Sequence, residues 1–216
     1  MDIAILVFDG MTVLDAVGPY EVLSRLPDVD VAMVATERGP KRSDLDSLAI
    51  EADALLSEIR RPDVVIVAGG TRGVASAIQD EAILEWVRSV HETSTFTASV
   101  CTGALILGAA GLLEGREATT HWRALDLLEG FGAVRRGGRV VRDGRVVTSG
   151  GVTAGIDMAF FLAEEIAGVE LADAVRLSME HRLEERFGNE DPELAPESVR
   201  RAAAEQLKQS RSGGRA

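Results

Sequence analysis

Cysteine is almost absent from this sequence: Cys101 is the only one in 216 residues. An internal disulfide is therefore impossible, and a single thiol is typical of a protein from a reducing compartment. Aromatic residues are also scarce, at 4%, although 46% of the chain is hydrophobic. Such a core consists mainly of Ala, Val, Leu and Ile, which suits a parallel sheet covered by helices on both faces.

Positive charge is in deficit, because 23 Lys and Arg face 35 Asp and Glu and give a net charge of −12. This balance disfavours nucleic acids and anionic membranes as partners. The first ten residues, MDIAILVFDG, contain neither a basic segment nor an apolar run of signal-peptide or membrane-span length. We therefore expect a cytoplasmic protein. The three histidines, His91, His121 and His181, lack metal-ligand spacing, and we predict neither a metal site nor a cofactor.

Apolar segments of strand length alternate with segments of helical spacing along the chain. This alternation predicts an α/β domain over residues 1–190, with a doubly wound, mostly parallel sheet. Residues 191–216 are expected to hold a polar helix from near Pro196 and a disordered tail. Strands are predicted at 3–8, 31–35, 63–68 and 95–100, a loop or hairpin at 37–47, and a β-hairpin turn at Asp143-Gly144. Helices are predicted from Gly18-Pro19 to before Pro27 and over 81–90, 104–113, 153–167 and 171–186.

The strand at 95–100 leads directly into Cys101-Thr102-Gly103 and the next helix. Ligands of open parallel sheets bind at the carboxyl ends of strands, and a helix N-terminus stabilises negative charge. We therefore predict a nucleophilic thiol with a lowered pKa at a strand-to-helix elbow, where Gly103 allows a tight turn. The alternative is a structural thiol buried in the core.

Two other strand ends carry candidate partners for this thiol. Gly69-Gly70 could supply N–H groups to an oxyanion hole, or could form a plain turn. Asp15 is expected in the loop after the first strand, as a general acid or base or as a helix cap. His121 could act as a base toward Cys101 or could support the fold from behind the site, and we favour the latter.

Several segments together resemble the ThiJ/PfpI superfamily, and in particular its isonitrile hydratase branch. The resemblance spans residues 3–179 and implies a flavodoxin-like fold, a homodimer, a nucleophile at Cys101, an acid partner at Asp15 and a functional residue at Thr102. The segments that carry it, in chain order, are 14–23, Gly69-Gly70, 99–103, 107–113, 118–122, 141–144 and 150–157.

The sequence departs from other branches of the superfamily at defined positions. Protease-like members have His directly after the nucleophile, where this chain has Thr102, and amidotransferases pair their Cys with a His-x-Glu segment that His121-Trp122-Arg123 does not supply. Both chemistries are therefore disfavoured. Residues 180–187 differ from the hydratase pattern, which leaves the substrate open.

Three functional hypotheses follow. In the first, Asp15 protonates an isonitrile, Cys101 attacks it, and water releases an N-substituted formamide, with Thr102 orienting Asp15 or the water and Gly70 N–H supporting charge. In the second, the same thiol performs glyoxalase- or deglycase-like chemistry with His121 as base. In the third, the chain is a redox or ligand sensor related to AraC-type regulator domains, although the residues after Pro192 are too few for a helix-turn-helix.

Overall fold

The computed structural model describes residues 1–181 and 194–212. Helices and strands alternate along most of this chain. The strands are β1 (Asp2–Leu6), β2 (Asp30–Ala35), β3 (Gly39–Arg42), β4 (Ala49–Ala52), β5 (Ala54–Leu55), β6 (Val64–Val67), β7 (Phe96–Ser99), β8 (Glu117–Ala118), β9 (Val134–Arg135), β10 (Val140–Asp143) and β11 (Val146–Ser149). The helices are α1 (Val13–Leu23), α2 (Val74–Ala77), α3 (Glu81–His91), α4 (Gly103–Ala109), α5 (Leu125–Glu129), α6 (Ala154–Ala167), α7 (Val169–Ser178) and α8 (Glu197–Ser212), with a 3-10 helix at Trp122–Ala124.

A seven-stranded sheet lies at the centre in the order β10-β11-β7-β6-β1-β2-β5. All neighbouring pairs are parallel except β10 and β11. Every residue of β6, β7 and β11 is buried, so helices cover both faces of these strands. The predicted α/β class with a mostly parallel sheet is confirmed.

Two antiparallel hairpins complete the framework. The predicted hairpin between β10 and β11 is confirmed, and Gly144 in its turn has a φ of 63°, which glycine adopts without strain. The predicted loop or hairpin at 37–47 is part of the β3–β4 hairpin, which extends to Ala52. This hairpin docks on the turn after β1, because Gly10 N–H donates to Arg42 O at 2.8 Å and Asp44 N–H to Met11 O at 2.8 Å.

Helix α1 begins earlier than predicted, at Val13 instead of Gly18, and contains Pro19 in its interior. Proline has no N–H, so Pro19 cannot donate to the carbonyl of Asp15 one turn earlier. Because α1 begins at Val13, with Thr12 as its N-cap residue, Asp15 lies in the first turn of the helix. The prediction that Asp15 lies in a loop was wrong.

Two other predicted helices also differ in their ends. The helix predicted to reach residue 113 ends at Ala109, two residues before Gly111, whose φ is 80°. The helix predicted over 171–186 is α7, which ends at Ser178, and residues 182–186 lie outside the described chain. Helix α8 begins one residue after Pro196. Residues 213–216 of the predicted tail also lie outside the described chain. Within the described chain, no helix has the length and apolar content that a membrane crossing requires.

Candidate active site

Four neighbouring strands end at one edge of the sheet, and each is followed by a segment that contributes to one buried site. Strands β11, β7, β6 and β1 are adjacent and parallel. Cys101 follows β7, Gly69 and Gly70 follow β6, Asp15 lies in the helix after β1, and Val152 follows β11. The topology therefore brings together residues that are far apart in the sequence.

Cys101 occupies a sharp elbow between β7 and α4. Its φ of 56° is in the left-handed region, which costs a non-glycine residue about 1–3 kcal/mol. The surrounding structure holds this conformation, because Cys101 N–H donates to Gly150 O at 2.9 Å and Thr120 Oγ1 donates to Cys101 O at 2.7 Å. A Cβ at Gly103 would lie 2.3 Å from Val67 O, so the elbow fits against β6 only with glycine there.

Asp15 is fully buried beside the elbow. Gly69 N–H donates to its Oδ2 at 3.0 Å, whereas Oδ1 has no well-formed hydrogen bond within the described chain. Burial raises the pKa of this carboxyl from 3.8 to about 8. The Gly69 hydrogen bond opposes the rise, the charge of Asp44 adds to it, and a hydrogen bond with the Cys101 side chain opposes it. Asp15 therefore carries a proton at neutral pH.

The pKa of Cys101 is raised, so the predicted lowering was wrong. Cys101 is only 5% exposed, and its burial is the main cause of the rise, followed by the proximity of Asp15. The N–H groups of Thr102 and Val152 lower the pKa but do not offset burial. The Asp15–Cys101 pair is therefore neutral and doubly protonated at pH 7, and its two ionisations are coupled.

Thr102 joins the elbow to the turn after β6. Its Oγ1 donates to Gly70 O at 2.9 Å and accepts from Gly70 N–H at 2.9 Å. The Gly70 N–H predicted to support charge on a substrate is therefore occupied, and the Thr102 hydroxyl predicted to orient Asp15 is instead directed to Gly70. Gly69 fits tightly beneath this contact, since a Cβ there would lie 2.6 Å from Thr102 N.

His121 packs on the turn that follows β11. Its Nδ1 accepts from Arg123 N–H at 3.3 Å, and its ring lies on Gly151, where a Cβ would lie 3.0 Å from His121 Cδ2. Burial, with a contribution from Arg123, lowers the pKa of His121, so the ring is neutral at pH 7. This placement favours the supporting role over that of a base.

Two residues of the site were not identified from the sequence. Val152 contributes a backbone N–H to the sulfur, and Asp44 acts electrostatically on Asp15. The glycines Gly150-Gly151 after a strand were a sequence signal for Val152. Asp44 lies in the turn between β3 and β4, and no local sequence pattern marks it.

No cluster of three or more His, Cys, Asp or Glu side chains suited to a metal ion occurs in the described part of the chain. His91 Nδ1 lies 2.8 Å from Thr97 Oγ1, and His181 Nε2 lies 3.7 Å from Asp157 Oδ1, so both are engaged away from the elbow. The arrangement that remains is an acid–thiol pair in apolar surroundings, suited to covalent and proton-transfer chemistry.

The fold and this site define a flavodoxin-like α/β protein with a cysteine at a strand-to-helix elbow and a buried carboxyl beside it. Residues 1–165 match the DJ-1/PfpI family, and the chain belongs to that family. The resemblance found in the sequence is thus confirmed.

Individual relatives agree with this assignment. The chain is 42% identical over 212 residues to isonitrile hydratase from Pseudomonas putida, an alignment that covers 96% of this chain and 92% of the relative. A ThiJ/PfpI family protein from Pseudomonas syringae has a crystal structure that superposes with a TM-score of 0.90 at 37% identity, covering 98% of this chain and 89% of that one. The HTH-type transcriptional regulator CdhR from Pseudomonas aeruginosa is 27% identical over 125 residues, or 56% of this chain and 36% of the regulator.

Proposed function

We propose that this protein is an enzyme that hydrates isonitriles to N-substituted formamides, with Cys101 as nucleophile and Asp15 as proton donor. One observation carries the proposal: a buried carboxyl that keeps its proton at pH 7 lies beside a thiol at a strand-to-helix elbow. The 42% identity to an isonitrile hydratase over 96% of the chain supports the same reaction.

The first half of the reaction adds the thiol to the terminal carbon of the isonitrile. This carbon becomes electrophilic when it is protonated, and Asp15 holds the required proton. As the carbon takes that proton, the sulfur of Cys101 forms a bond to it, and the thiol proton passes to Asp15. The product is a thioimidate, R–N=CH–S–Cys101, and Asp15 ends protonated as it began.

The second half hydrolyses the thioimidate. Water adds to the imidate carbon, one of its protons goes to nitrogen, and the carbon–sulfur bond breaks as the C=O of R–NH–CHO forms. The departing sulfur takes a proton through Asp15, which restores the neutral pair. The N–H groups of Thr102 and Val152 stabilise negative charge on that sulfur while it leaves.

In this proposal Thr102 does not orient Asp15 or water, and the Gly70 N–H does not support charge on the substrate, as the sequence had suggested. Because the Thr102 hydroxyl bonds both the N–H and the C=O of Gly70, it fixes the elbow against the turn that supplies the Gly69 hydrogen bond to Asp15. The hydrogen bonds between Thr102 and Gly70 therefore set the distance between the Asp15 carboxyl and the Cys101 thiol.

The direct test is formamide release from an alkyl isocyanide, followed by the formyl proton in NMR. Cys101→Ala and Asp15→Asn are expected to lower the rate by at least about 100-fold, on the scale of lost nucleophilic or acid catalysis. Asp126→Asn, at a carboxyl whose side chain is 93% exposed, is the control and should retain full activity. Equal formamide release by wild type and Cys101→Ala would refute the proposal, and Cys101-dependent lactate formation from methylglyoxal would favour the glyoxalase alternative.

The groups around Cys101 support hydration over both alternatives. A glyoxalase-type mechanism needs a base at the thiol, whereas His121 Nδ1 already accepts from Arg123 N–H and the ring packs on Gly151. A peroxide sensor needs a thiolate that solvent can reach, whereas this thiol is buried and its pKa is raised.

We also propose a homodimer that acts on a small molecule in the cytoplasm. The resemblance implies the dimer, and α1 carries two partly exposed hydrophobic side chains, Leu14 at 38% and Tyr20 at 37%, that a second copy could cover. The unpaired thiol fits a reducing compartment. Light scattering coupled to size exclusion tests the dimer: a mass near 23.0 kDa would contradict it.

A further inference from the structure

Asp44 lies at the tip of the β3–β4 hairpin and is tied to the two turns that border Asp15. Its Oδ2 accepts from Thr12 Oγ1 at 2.9 Å and from Thr71 Oγ1 at 3.1 Å. Thr12 precedes the helix that carries Asp15, and Thr71 follows the glycines of the β6 turn. One carboxylate thus joins both segments on which the acid depends.

The orientation of Thr12 shows that this contact is made in place of a local one. Thr12 is the N-cap residue of α1, yet its side chain does not cap the helix. An N-cap hydroxyl that accepts from its own helix contributes about 1 kcal/mol. The Thr12 hydroxyl instead donates to Asp44, while its backbone N–H donates to Gly69 O at 2.9 Å.

We propose that Asp44 is a positioning residue of the active site, whose fixed negative charge keeps the catalytic proton on Asp15 until the substrate takes it. The inference deepens the proposed function and rests on it for the identity of the substrate. The two hydroxyl donors hold the Asp44 carboxylate in one place, and they bring no positive charge that would cancel its effect on Asp15.

Two ionisable side chains of the described chain act on Asp15. From the elbow, the Cys101 thiol contacts it, and from the hairpin, Asp44 acts on it. Arg72 is a cation beside this turn; it donates to the backbone carbonyl of Asp44 at 3.4 Å, and its ion pair is with Asp46 at 2.8 Å. Arg42, at the end of β3, donates to the backbone carbonyl of Asp46. The carboxylate of Asp44 therefore acts on Asp15 without a direct salt bridge.

Asp44→Asn separates the charge from the hydrogen bonds, because the amide oxygen can still accept from both threonines. Without the charge, the Asp15–Cys101 pair should lose its first proton at a lower pH. A neighbouring charge of this kind shifts a buried carboxyl by about half a pH unit or more.

The measurement is a pH titration of the C=O stretch of the protonated Asp15 carboxyl by infrared difference spectroscopy, assigned by its absence in Asp15→Asn, and it needs no knowledge of the substrate. For Asp44→Asn we expect the midpoint of this Asp15 titration to move to lower pH by about half a unit or more. Asp44→Glu, which restores the charge, should return it toward the wild-type value. Asp46→Asn removes an exposed charge from the same turn and should leave it in place.

Formamide release over the same pH range distinguishes this inference from the proposed function. A shifted Asp15 midpoint in an enzyme that hydrates no isocyanide would leave the role of Asp44 intact and refute hydration. An unshifted midpoint in Asp44→Asn, with a rate lowered equally at every pH, would refute the role of Asp44. If Asp44→Asn does not fold, Asp44→Ser removes the same charge with a smaller side chain that still accepts, and it must show the same shift.

Discussion

Replacing Asp15 by Asn should stabilise the protein at neutral pH while it removes activity. The carboxyl is fully buried, and its pKa rises from 3.8 to about 8 on folding. In the unfolded chain it ionises near pH 4 and is stabilised by water, whereas in the folded chain it stays protonated. Asn is neutral in both states and still accepts the Gly69 hydrogen bond.

The sign and size of the effect follow from proton linkage. Between pH 4 and pH 8 the folded protein binds one more proton at Asp15 than the unfolded chain, so wild-type stability falls as pH rises, by at most about 1.4 kcal/mol per pH unit. This loss of wild-type stability is absent below the pKa of Asp15 in the unfolded chain and complete above its pKa in the folded protein. Because Asp15 is coupled to Cys101, we expect about half of this slope or more, and thus a gain for Asp15→Asn of about 2–5 kcal/mol between pH 4 and pH 7.5.

Urea unfolding at fixed protein concentration and at pH 4, 5, 6, 7 and 7.5 measures this difference. Asp126→Asn removes the same formal charge from a side chain that is 93% exposed, and its stability should follow wild type at every pH. The slopes with respect to urea should agree among the three proteins, so that midpoints report stability. A difference between Asp15→Asn and wild type that stays constant from pH 4 to pH 7.5 would refute the burial of a protonated carboxyl.

Three further predictions concern the same site. Thr102→Val leaves the N–H and C=O of Gly70 unpaired and should cost about 1–3 kcal/mol in thermal or urea unfolding, with Thr102→Ser close to wild type. Gly69→Ala places a methyl group 2.6 Å from Thr102 N and should lower kcat by about 10-fold or more, whereas Gly137→Ala, with nothing within 4 Å, should not change it. Because Asp15 must be protonated, formamide release should be constant up to about pH 7 and fall through about pH 8, and a rise across that range would contradict its role as acid.

The sequence was sufficient for the framework of the site because strand ends in a parallel sheet share one edge. Cys101 and Gly69-Gly70 each follow an apolar strand, so their convergence could be expected from topology alone. The assignment of Asp15 as partner depended on the resemblance, since its spacing fitted a helix cap equally well. The start of α1 could not be found, because Pro19 was expected near a helix N-terminus and lies instead in the helix interior.

Asp44 and the pKa of Cys101 could not be predicted because both depend on tertiary packing. Asp44 reaches the site only through the docking of the β3–β4 hairpin on Met11, a contact without a local signal. For Cys101, the helix N-terminus is visible in the sequence and lowers the pKa, but the depth of burial is not visible and has the larger, opposite effect. The direction of the shift was therefore wrong although the position of the thiol was right.

The neutral state of the pair suits the proposed chemistry better than a reactive thiolate would. Isonitrile addition needs a proton at carbon before sulfur can attack, and an ionised Asp15 could not supply it. In the neutral site, one proton moves from Asp15 to carbon and another from sulfur to Asp15, so the net charge of the buried pair is unchanged by the step. An ion in apolar surroundings is costly, and this exchange avoids leaving one behind. The burial that makes Cys101 a poor general nucleophile is thus consistent with attack on a substrate that arrives uncharged and accepts the acid's proton.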